Sequence, residues 1–94
     1  MDKKLSIFIK EKRIEAGLTQ QQVASHLGYS SPQFISNWER GISHPPIETL
    51  KQIGKLYGIP AEELYDVLLY TSIEDVKKSL RAKFNNSDKK FRSF

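Results

Sequence analysis

The segment TQQQVASHLGYSSPQFISNWERG, residues 19–41, decides the fold. Thr19 with Gln22 three residues later has the form of a capping box, in which each side chain satisfies a backbone donor left open at a helix start. Val23, Ala24 and Leu27 then give a short helix one apolar face, and Gly28 supplies its stop. A turn of Tyr29, Ser30 and Ser31 follows. The residue before a proline avoids the α region and proline suits the first helical position, so Ser31 is expected as the N-cap of a next helix and Pro32 in its first turn. At about 100° per residue, Ile35, Trp38 and Glu39 share one side of that helix, and Gln33, Asn37 and Arg40 fall roughly opposite. The pattern is two short helices joined by a turn, the second with one face to bury and one lined with hydrogen-bonding groups.

Working outward, Leu5, Phe8 and Ile9 lie at helical spacing before Gly17, which predicts a first helix over Lys4 to Ala16. Pro45-Pro46 open a fourth helix in which Leu50, Ile53, Gly54 and Tyr57 repeat at i, i+3, i+4 and i+7, closed by Gly58. Pro60 starts a fifth with Leu64, Val67 and Leu68 inward. Ser72 with Asp75 reads as the cap of a sixth that carries Ile73, Val76, Leu80 and Phe84. No strand pattern competes, so the expected class is all-α. The expected organisation is a compact five-helix domain over residues 1–70, a C-terminal amphipathic helix over 71–84 and a flexible basic tail over 85–94.

Composition bounds what such a chain does. Ninety-four residues build one small core with little left for a water-excluding catalytic cleft. Hydrophobic residues at 38% and charged residues at 28% suit a globular chain. No apolar run is long enough to span a bilayer, and the start lacks the apolar stretch of a signal peptide, so the expected location is the cytoplasm, away from any membrane. With no cysteine, disulfides and thiolate metal sites are excluded, and His26 and His44 do not make a metal site alone. The net charge of +4 is uneven. Residues 1–76 carry more acids than bases, whereas residues 77–94 hold Lys77, Lys78, Arg81, Lys83, Lys89, Lys90 and Arg92 against the single acid Asp88. Such a tail is either a solvated extension or an arm that grips phosphates.

Residues 5–69 resemble the helix-turn-helix family of phage repressors and Cro proteins, the XRE family. The resemblance is carried by Gly17-Leu18-Thr19-Gln20, Val23-Ala24, Leu27-Gly28, Ile35-Ser36, Trp38-Glu39-Arg40-Gly41 and Pro46, and extends into Leu50, Ile53 and Gly58-Ile59-Pro60. One residue more than the family pattern stands between Gly28 and Ile35. Aligning without it would put Phe34 and Asn37 at the buried positions, where an unpaired amide is costly, so the extra residue is placed in the turn.

The resemblance implies a repressor-type domain whose recognition helix, residues 31–40, enters the major groove of double-stranded DNA, where each base pair shows a distinct donor and acceptor pattern. Gln33 and Asn37 are then the expected base readers, since each amide can pair with adenine. Phe34 either meets a thymine methyl or packs into the core. The expected phosphate contacts are Gln20 at the start of the second helix, Ser31 in the turn, and Arg40 with Ser43 and His44 beyond the recognition helix. Arg13 and Glu39 are expected as a partly buried ion pair tying the first helix to the third.

These expectations add up to a sequence-specific transcriptional regulator, a repressor that binds an inverted-repeat operator as a homodimer. The stripe Ile73, Val76, Leu80, Phe84 either packs back on the domain or contributes to that dimer, with Lys89, Lys90 and Arg92 adding phosphate attraction. An antitoxin or anti-repressor module that holds a protein partner through residues 73–84 is the second reading. An enzyme is not expected: no nucleophile and base set, metal-ligand spacing or phosphate-cradling glycine loop is found, and no cofactor is implied.

Overall fold

The computed structural model describes residues 4–91, with side-chain surroundings for residues 4–85. Five helices follow one another: α1 (Lys4–Glu15), α2 (Gln20–Leu27), α3 (Gln33–Glu39), α4 (Ile47–Tyr57) and α5 (Ala61–Phe91). The described residues contain no strand, and no helix among them is long and apolar enough to cross a membrane. The chain is all-α, as the sequence periods require.

Local chemistry sets the helix ends. At the start of α2 the Thr19 hydroxyl accepts from the Gln22 N–H at 3.1 Å while the Gln22 side chain accepts from the Thr19 N–H at 2.8 Å, so the capping box is complete. At its end Gly28 takes φ 86°, a conformation that costs a side-chain-bearing residue about 1 kcal/mol or more. Tyr29 then turns back to donate its N–H to the Ala24 carbonyl at 2.9 Å. α4 ends the same way, with Ile59 donating to Gly54 at 2.8 Å and burying its side chain over the helix end.

The core draws Leu5 and Ile9 from α1, Val23 and Ala24 from α2, Ile35 and Trp38 from α3, Leu50, Ile53 and Tyr57 from α4, and Leu64 from α5. Phe8, Leu27, Val67 and Leu68 pack around it partly buried. Each fully buried aliphatic chain contributes about 1.5–3 kcal/mol against the entropy of ordering it. At Gly54 a Cβ would lie 3.0 Å from Leu64 Cδ2, so the absence of a side chain there lets α5 close on α4.

Three expectations are corrected. The cap position of α3 is Pro32 rather than Ser31: the Pro32 carbonyl accepts the first helical bond, from the Ser36 N–H at 2.9 Å, and no side chain caps the end. There is no separate sixth helix. α5 runs unbroken from Ala61 to Phe91 through the Ser72 and Asp75 pair read as a cap, because no glycine or proline interrupts the chain after Pro60. The helix also takes in residues 85–91, the greater part of the segment expected as a flexible tail.

Candidate nucleic-acid interface

α3 is held by its inner side. Ile35 and Trp38 are almost fully buried, and beside them the Glu39 carboxylate is tied to two other helices. Arg13 of α1 donates to it twice, from Nε to Oε2 at 2.6 Å and from Nη2 to Oε1 at 3.0 Å, and its Nη1 donates to the Leu18 carbonyl at 2.8 Å. Gln20 of α2 donates from Nε2 to Oε1 at 3.0 Å. Burying a carboxylate is costly unless its lone pairs are filled, and here three donors fill them. The hydrogen bond to Glu39 raises the Arg13 pKa above the ordinary guanidinium value, against the opposing effect of burial. Tyr57 of α4 shares this environment. Burial, and then the Glu39 charge, push its phenol well above the usual tyrosine range, while Arg13 pulls it back.

With its back fixed, α3 presents Gln33, Asn37 and Arg40 outward as one connected set. Gln33 Nε2 donates to Asn37 Oδ1 at 2.9 Å, and Arg40 Nη2 donates to the same oxygen at 2.9 Å. Side chains one turn apart meet on a helix face, so these bonds follow from the i, i+3 and i, i+4 spacing. The three are thereby linked through one shared acceptor oxygen.

Phe34 is half-exposed at the edge of this face. Its ring centroid lies 4.9 Å from that of Tyr29 and 6.3 Å from that of Trp38, and Tyr29 meets Trp38 edge-on at 6.0 Å. The turn between α2 and α3 is thus covered by Tyr29, whose ring meets both Phe34 and Trp38. Sequence reasoning missed this role, and the signal available for it was the grouping of three aromatic residues within ten positions, 29–38.

The remaining candidates flank α3. Ser31 is exposed in the turn before it, and Ser43 and His44 are exposed in the loop beyond it, which is anchored by buried Pro45. His44 Nε2 sits 3.7 Å from Asp75 Oδ2, a link from this loop to α5 that sequence spacing could not show. Gln20 lies at the start of α2, where backbone donors of the first turn point out of the helix, but its side chain serves Glu39. Lys89, Lys90 and Arg92 lie outside the residues whose side chains are described. Among the described residues no group of three or more acidic, histidine or cysteine side chains is placed to hold a metal.

A helix braced from behind by an ion pair, preceded by a capped helix and a short turn, and carrying a polar outer face defines a helix-turn-helix domain. The comparisons agree: the helix-turn-helix family model matches residues 9–64. The chain belongs to that family, in its XRE branch. It is 30% identical over 73 residues to the transcriptional repressor RstR of the cryptic phage CTXphi from Vibrio cholerae, a match covering 78% of this chain and 65% of the relative. It is 39% identical over 56 residues to the HTH-type transcriptional activator BcrR of Enterococcus faecalis, covering 60% of this chain and 27% of the relative. An HTH-type transcriptional regulator of Deinococcus deserti is 35% identical over 63 residues, 67% of this chain and 48% of the relative. The matches thus span less than two thirds of each of these relatives. No solved structure matches the chain.

Proposed function

We propose that this protein is a transcriptional regulator, a repressor, that binds an inverted-repeat operator as a dimer with α3 in the major groove. The observation that carries the reading is the connected outer face Gln33–Asn37–Arg40 on a helix fixed from behind by Ile35, Trp38 and Glu39. A pre-ordered row of amides and a guanidinium can match base edges without first being frozen from a floppy state. Gln33 and Asn37 read bases, the Asn37 oxygen exchanging one of its internal donors for an adenine amine. Phe34 offers its exposed edge to a thymine methyl. Phosphates are met by the start of α2 at Gln20, by Ser31, and by Arg40, Ser43 and His44 on the far side. A single recognition helix covers few base pairs, which favours two copies one DNA turn apart, roughly 34–36 Å.

The test is selection of bound sequences from random duplex DNA. Enrichment of a two-fold symmetric site supports the reading, and recovery of unselected sequence at uniform, salt-sensitive affinity overturns it.

A second reading, an antitoxin or anti-repressor module that grips another protein, draws on one observation: Ile73, Val76, Leu80 and Phe84 are all exposed on α5. Mass measurement separates the two, since a purified chain that dimerises alone uses this stripe differently from one that is monomeric alone and leaves cells bound to a second protein.

A further inference from the structure

α5 has two apolar faces, and only one of them is used by its own chain. Leu64, Val67, Leu68 and Thr71 turn toward the core. About 180° around the helix, Leu69, Ile73, Val76 and Leu80 are between 44% and 56% exposed. Their spacing is a heptad alternation of three and four residues, and it continues at both ends onto charged residues: Asp66 three residues before Leu69, and Lys83 three residues after Leu80, both exposed. Two heptads of apolar seam thus end in an acid at one end and a base at the other.

We infer that this face is covered by the same face of a second copy, the two α5 helices running antiparallel about a two-fold axis between Ile73 and Val76. In that register Ile73 lies against the partner's Val76 and Leu69 against the partner's Leu80. The next layer out puts Asp66 opposite the partner's Lys83, so every layer is matched, and a salt bridge closes each end. A parallel pair would stack Asp66 on Asp66 and Lys83 on Lys83, setting like charges together in two layers, which the antiparallel pair avoids. The wider charge pattern agrees. Glu62 and Asp66 lie toward the start of α5, and Lys77, Lys78, Arg81 and Lys83 toward its end, so antiparallel halves complement and parallel halves repel. The contact is isologous, as a closed dimer requires. This inference rests on the dimeric reading above and adds the surface and its orientation.

The chain has no cysteine, so orientation can be read directly by cross-linking. Leu69→Cys and Leu80→Cys both alter exposed positions that the fold does not use. After oxidation, neither variant alone should give a covalent dimer through this seam, and an equal mixture should give one, seen on a non-reducing gel. Covalent dimers from Leu69→Cys alone would overturn the antiparallel pair while leaving dimerisation itself standing; a monomer by mass, with and without DNA, would overturn both. Charge exchange gives a second readout. Asp66→Lys alone should raise the dimer dissociation constant about tenfold, corresponding to two weak pairs lost, and adding Lys83→Asp should restore it. Unchanged dissociation in Asp66→Lys overturns the register.

Discussion

Gln20 at the start of α2 donates its side-chain amide to Glu39 on the inner side of α3, 3.0 Å from Nε2 to Oε1. The same oxygen takes Arg13 Nη2, so one carboxylate joins all three N-terminal helices. The carboxylate that positions α3 and the site proposed to meet phosphate therefore share a residue, and changes behind α3 should be felt on the face proposed to meet DNA.

The first consequence is a stability coupling. Arg13→Ala leaves the Glu39 carboxylate, 3% exposed in its side chain, with one fewer partner in a poorly solvated place. The change should destabilise the fold by up to about 3 kcal/mol, and Arg13→Ala with Glu39→Ala should cost less than the sum of the singles. Denaturant melts of the four proteins measure this. Additive losses would mean that the 2.6 Å bond contributes no coupling.

A different outcome is expected on the outer face, where nothing in the core depends on Gln33 or Asn37. Replacing either with alanine should leave the melting curve unchanged within about 0.5 kcal/mol and weaken binding to the selected site by about 1–3 kcal/mol. Binding to unrelated DNA should hardly move. Asn37→Ala should be the more harmful because it also releases Gln33 and Arg40 from a common acceptor. Equal losses on both DNAs would show that these residues grip the backbone rather than read bases.

How much of this was legible in the sequence depends on the range of the interaction. The capping box at Thr19 and Gln22, the buried set Leu50, Ile53, Gly54 and Tyr57, and the opposite faces of α3 all follow from spacings within two turns, and the structure has each of them. The unbroken α5 is not legible in the sequence because the Ser72 and Asp75 pair imitates a cap, and because Leu64 to Leu68 and Ile73 to Leu80 are in phase with opposite faces of one helix. That change of phase imitates a break, although no helix-breaking residue lies there. Tyr29 over Phe34, Gln20 on Glu39 and His44 near Asp75 join residues from different elements, and local periodicity carries no information on such meetings.

Tyr57 gives the fold a pH limit on the alkaline side. Its folded-state pKa is raised above the ordinary tyrosine value of about 10, first by burial, so the native state holds the proton more tightly than the unfolded chain. The associated stability is complete below about pH 10 and falls as pH rises beyond it, because the unfolded phenol ionises first. Tyr57→Phe should flatten this part of the stability curve relative to the parent. Parallel alkaline losses in the two proteins would place the sensitivity in other groups.

The last prediction concerns residues 85–94 and the basic charge they carry beyond the domain core. Lys89, Lys90 and Arg92 make no base-reading claim; attraction to phosphate is electrostatic and appears as a dependence of affinity on salt. Each phosphate neutralised adds about 0.9 to the slope of log affinity against log salt, so three such residues would contribute up to about 2.7 per chain and about 5.4 for the two tails of a dimer. Removing residues 85–94 should reduce the slope toward that extent and weaken binding to all sequences alike. The preferred site should stay the same, since Gln33 and Asn37 are untouched. Dimerisation should also survive, because the seam proposed for it ends at Lys83. A truncated chain with an unchanged salt slope would show that the segment does not reach phosphate. A truncated chain that becomes monomeric would instead move part of the dimer contact beyond residue 84.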